Sequence, residues 1–143
     1  MKTSKIVNLA SAGLLLLSAA SLLSVSFMAF ANPQSVMDLV QVQLTNNDAF
    51  SSIRGAYGGV GLALGISLLY LMVKDTGKGL AFLCLLWGFY AASRIITIFV
   101  EGSLGDFGTQ WLITESVLFG LAVSLLLARR KRTALAGSYA PMG

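Results

Sequence analysis

The chain has 143 residues, of which 56% are hydrophobic and only 11% charged, and its mean hydropathy is +0.79. These values fall outside the soluble globular range and put the chain in a bilayer. Its net charge of +4 comes from basic residues gathered at the ends of apolar segments, a pattern that orients a membrane protein and makes no nucleic-acid surface. With no histidine and a lone cysteine, Cys84, one chain can build neither a disulfide nor a Cys/His zinc site, and no metal or cofactor is expected.

About 20 apolar residues in a helix cross the roughly 30 Å hydrocarbon core. Four segments reach that length: 6–31, 55–73, 80–100 and 111–128. The first follows Lys2 and Lys5 and ends in Ala29-Phe30-Ala31, which resembles a secretory cleavage site after Ala31. At about 25 residues it is longer than the 7–15 residues of a signal core, so it is read as a retained span.

The segment from Asn32 to Ile53 is too polar to span and has no lysine or arginine. Pro33 suits the start of a turn or helix, and Ser35 with Asp38 has capping-box spacing, while Val40, Val42 and Leu44 alternate with Gln41 and Gln43 as in a strand. The periodicity leaves both forms open. A short amphipathic element over the outer mouth of the bundle is expected, with Asn46-Asn47-Asp48 as its terminating turn.

The second span opens with Arg54-Gly55-Ala56-Tyr57-Gly58-Gly59-Val60-Gly61, and Gly65 follows one turn later. Gly55 with Gly59, and Gly61 with Gly65, have the small-xxx-small spacing of close helix packing, and the run matches no phosphate-binding fingerprint. A tight turn from Lys74 to Gly79 leads to the third span. A glycine-rich loop from Glu101 to Gln110 leads to the fourth, and a basic tail, Arg129-Arg130-Lys131-Arg132, runs on to Gly143.

Lysine and arginine resist translocation. Lys2, Lys5, Lys74, Lys78 and the basic tail fall on one side of a four-span topology, and Asp38, Asp48, Glu101 and Asp106 on the other. Both termini are therefore expected in the cytoplasm of a bacterium, with the chain a single multi-pass domain (1–143) of the inner membrane. The tail reads as a stop-transfer anchor or, more sharply, as an anionic-lipid site.

Arg94 and Glu115 lie inside apolar spans, where an ionised side chain costs about 2.5–3.5 kcal/mol on the insertion scale. Measured from Val100 and Trp111 at 1.5 Å per residue, they lie roughly 9 and 6 Å below the outer boundary, so an ion pair is expected. Tyr90 and Glu101 project from the Arg94 face, and Arg54 with Tyr57 opens the second span. These six residues read either as a network fixing helix register or as the polar floor of a lipid-lined cleft.

The run Arg54-Gly55-Ala56-Tyr57-Gly58-Gly59 with Leu62 and Gly65, then Gly88, Arg94, Glu101-Gly102 and Glu115, resembles the bacterial DUF4345 family over nearly the whole chain. That resemblance implies an all-α, four-helix integral membrane fold and assigns no catalytic residue. The reading with fewest assumptions is a non-enzymatic protein whose outer-leaflet cleft binds a membrane lipid or small amphiphile, and self-association is compatible with it. The alternative is a small isomerase or lipid-modifying enzyme with Glu115 or Glu101 as acid or base. A proton-coupled transporter fits less well, because the first span has no acidic residue.

Overall fold

The computed structural model describes the backbone of residues 2–138 and the side chains of residues 5–131. Readings that rest on the side chains of Lys2 and Arg132, or on the tail beyond Ser138, lie outside them. The elements are α1 (Lys2–Ala31), α2 (Pro33–Asp38), α3 (Asn47–Ile53), a π-helical stretch (Arg54–Gly59), α4 (Val60–Lys74), α5 (Thr76–Val100) and α6 (Asp106–Ser138). There is no strand among the described residues. Four helical segments, Lys5–Ala31, Asn47–Lys74, Thr76–Val100 and Asp106–Lys131, are long and apolar enough to cross a membrane.

The helices begin earlier than hydropathy suggests, and in the second and third crossing segments a polar cap outside the apolar run starts them. The side chain of Asn46 accepts from the Ala49 N–H at 2.8 Å, so Asn46-Asn47-Asp48 starts the second crossing helix and is not a terminating turn. Asp75 accepts from the Lys78 N–H at 3.0 Å, so Thr76–Gly79 is the first turn of α5 and the expected Lys74–Gly79 turn shrinks to Asp75 alone. That bond holds the Asp75 carboxyl below its ordinary value, with Lys78 as partner. The loop before α6 likewise ends at Gly105, and the basic stretch from Arg129 continues α6 as helix to Ser138.

The chain forms two compact units, one of Met1–Leu14 with Asp75–Gly143 and the other of Leu15–Lys74. In the second unit, α2 is capped by Asn32 with Pro33 in the first turn, in place of the expected Ser35/Asp38 box. Its Val36 and Met37 bury against Ala29 of α1, with Leu44 and Ile53 at the edge. The alternation from Val40 to Leu44 makes no strand for a local reason. The chain turns at Gln41 (φ 58°), and the Gln34 amide donates to the Val42 carbonyl at 2.8 Å and accepts from the Leu44 N–H at 2.9 Å. A side chain thus satisfies the backbone groups that a sheet would otherwise pair.

The same unit joins α1 to α4 through small residues. A Cβ at Gly58 would meet the Phe30 ring at 3.2 Å, one at Gly61 would collide with the Ser26 hydroxyl, and one at Gly65 would lie 2.8 Å from Leu23. Gly55 and Gly59 have nothing within 4 Å, so the expected Gly55/Gly59 packing pair is not the contact. Gly59 stands two residues before Gly61, about 160° away around the helix, and so off the face that meets α1. Ser26, buried in this contact, donates to the Leu22 carbonyl at 2.7 Å and needs no partner on another helix.

In the first unit α5 and α6 run antiparallel. Leu80, Leu83, Trp87 and Ala91 make the buried stripe of α5 at helical spacing, and a Cβ at Gly88 would meet the Phe119 ring of α6 at 3.1 Å. Lipid tails are as apolar as these side chains, so close packing of this kind, and not the hydrophobic effect, holds such helices together.

Candidate functional site

One register sets Gly88 opposite Phe119 and, nearer the C-terminal end of α5, Arg94 opposite Glu115. The Arg94 Nε donates to Glu115 Oε2 at 2.7 Å and an Nη to Oε1 at 2.9 Å, a bidentate pair. Glu115 is 2% exposed, whereas the Arg94 side chain is 22% exposed. The carboxylate is therefore the buried anchor, and the guanidinium is the half that can reach a third group. Because α6 begins at Asp106, Glu115 lies nine residues into its helix, about 13 Å from the start, well inside regular helix.

The apolar wall beside this pair belongs to α5. Phe82, Leu85, Leu86, Phe89, Tyr90 and Ser93 line a groove of about 420 Å³. Leu86, Tyr90 and Arg94 form one row at intervals of four residues, so Arg94 follows one turn beyond Tyr90, which lines the groove, while its guanidinium turns to Glu115. The Tyr90 ring rests on buried Trp87, with centroids 5.9 Å apart. Ser93 turns its hydroxyl to the Tyr90 carbonyl at 2.8 Å. From Phe82 to Ser93 the groove spans about 16 Å of helix.

The remaining candidates take other roles. Glu101 is the exposed C-cap of α5, where Gly102 (φ 105°) adopts the left-handed conformation that ends the helix, and both N–H groups bond the Thr97 carbonyl. Arg54 and Tyr57 belong to the other unit. Arg54 Nε donates to the Phe30 carbonyl at 3.3 Å, meeting one of the last carbonyls of α1 that have no partner in their own helix. Tyr57, one turn on, is 42% exposed. Among the described residues no group of His, Cys, Asp or Glu could hold a metal ion.

Residue type gave no warning of the groove. Phe82, Leu85, Leu86 and Phe89 are ordinary apolar residues of an apolar span, and only their helical spacing toward Arg94 distinguishes them. No protein of curated function and no solved structure matches the chain. A family described as a domain of unknown function, DUF4345, matches residues 11–126, and the chain, a four-helix membrane protein by the lengths and composition above, belongs to that family.

Proposed function

We propose that the protein is a non-enzymatic membrane protein that holds a lipid or small amphiphile against α5, its apolar part in the groove and its head group at Arg94. The observation that carries this reading is the partly exposed Arg94 one turn beyond the apolar groove on the same helix, its guanidinium fixed by a buried carboxylate. Glu115 takes two of the five guanidinium donors, which leaves others for an anionic or hydroxyl head group. Both Glu115 oxygens accept from Arg94, so acid–base chemistry there would first have to break the pair. Binding needs no such step.

The test is native mass spectrometry of protein extracted in mild detergent. Wild type is expected to carry a bound amphiphile. Leu85→Trp, which fills the groove from an exposed position, should lower its occupancy about tenfold, equivalent to about 1.4 kcal/mol, with thermal stability unchanged. Equal occupancy in the two proteins, or none in either, would reject the reading.

The proposal includes the topology. Both termini are taken as cytoplasmic in a bacterial inner membrane, since a chain crossing four times puts the segment ends that carry Lys5, Lys74, Lys78 and Arg129–Lys131 on one side and those that carry Asp48, Glu101 and Asp106 on the other. The groove then opens toward the outer leaflet. Reporter fusions after Gly143 and at Asp75 should score as cytoplasmic and one at Thr45 as external; a cytoplasmic score at Thr45 would invert the assignment.

A further inference from the structure

At the other end of α5, sixteen residues and about 24 Å from Arg94, the same two helices border a second, open cavity. It measures about 550 Å³ and is lined by Asp75, Gly77, Lys78 and Ala81 from the start of α5, and by Leu126, Arg129 and Arg130 from α6. Three cations and one carboxylate border it, over a floor of Ala81 and Leu126. Asp75 is already engaged: it caps α5 and lies 3.4 Å from the Lys78 ammonium. An exposed pair of this kind is weak, and Lys78, at 79% side-chain exposure, can leave it for a stronger anion at little cost. Arg129 is oriented by Asn8, whose side-chain oxygen accepts from it at 2.6 Å, so α1 helps aim this guanidinium.

We infer that this cavity binds the phosphodiester head group of an anionic phospholipid, with Lys78, Arg129 and Arg130 as its cations and Ala81 and Leu126 against the first part of the acyl chains. Two features favour a lipid over a free anion. The floor is apolar, which a soluble phosphate cannot use, and the cavity lies where two membrane-crossing helices meet their basic ends, the setting in which basic pockets between helices take anionic head groups. The α5 N-terminus contributes little, because Asp75 occupies it. The inference needs only the membrane fold and is independent of any ligand at Arg94.

The test uses full-length protein in phosphatidylcholine nanodiscs with and without phosphatidylglycerol, read by native mass spectrometry of retained lipid and by thermal unfolding. Wild type should retain phosphatidylglycerol selectively and melt higher in its presence. Removing charge with Lys78→Gln and Arg130→Gln should weaken retention roughly fivefold for each cation lost. Lys74→Gln with Lys131→Gln, the same charge change outside the cavity, should leave retention near that of wild type. Equal loss in the two pairs would mean general attraction to an anionic surface and would overturn the site. Ala81→Phe, which fills the floor without changing charge, should also release the lipid, and retention by that variant would overturn it too. Protection by millimolar inorganic phosphate equal to that by phosphatidylglycerol would identify a free-anion site and reject the lipid.

Discussion

Replacing Glu115 with glutamine, or Arg94 with methionine, is expected to cost about 3–5 kcal/mol of stability in detergent, the penalty for leaving one member of a buried pair without the other. The Arg94→Met value should lie toward the top of that range, because the Glu115 carboxylate it leaves unpaired is 2% exposed and has no route to water. Arg94, at 22% exposure, can recover part of its hydration when Glu115 is neutralised, so Glu115→Gln should be the milder change. Combining the two changes should recover much of the loss, since neither buried charge then remains. A thermodynamic cycle over the three variants, by chemical or thermal unfolding, should give an interaction energy of at least about 3–5 kcal/mol, because the double variant is expected to cost less than either single one. A value near zero would mean that the bidentate contact does not form in the membrane protein. Bound amphiphile separates structure from function: if Arg94 holds a head group, the double variant should regain stability without regaining the ligand.

Why that pair was legible in the sequence, and its surroundings were not, follows from what each residue type signals. A charge inside an apolar span is costly enough to require a partner, and Arg94 and Glu115 each had few within reach. Hydropathy located the four helices for a similar reason, as no other structure satisfies the backbone in lipid over such lengths. Helix ends depend on single hydrogen bonds, which residue type announces more weakly. Asn32 before Pro33 is a cap signal, but Ser35 and Asp38 offered a competing one, and Asn46 looks the same whether it stops a segment or starts a helix. Arg54 finds a backbone carbonyl, that of Phe30, and a carbonyl has no signature in the sequence. The glycine spacing misled for a geometric reason: each pair spaced by four shares a face, but Gly59 and Gly61, two residues apart, stand about 160° from each other around the helix, so the two pairs cannot both meet α1.

That difference of face makes the glycines of the second crossing helix separable by experiment. Gly65→Leu should destabilise the protein by about 1–3 kcal/mol, the usual range for overpacking. A Cβ at Gly65 already lies 2.8 Å from the Leu23 side chain and 3.5 Å from the Ala19 carbonyl, and the second neighbour is backbone that cannot swing aside. Gly61→Leu should be comparable or worse, because its Cβ collides with the hydroxyl of Ser26, which is buried and held by its bond to Leu22. Gly59→Leu meets nothing within 4 Å and should change stability by no more than about 0.5 kcal/mol. Unfolding measured for the three variants in one detergent therefore compares one helix against itself. The result also bears on the first span, since the residues that crowd Gly61 and Gly65 all belong to α1. If α1 were removed after Ala31, both sites would lose those neighbours and tolerate leucine as Gly59 does. A large loss at Gly61 and Gly65 beside a silent Gly59 would mean that α1 stays in place and packs on α4, whereas three silent variants would remove that interface.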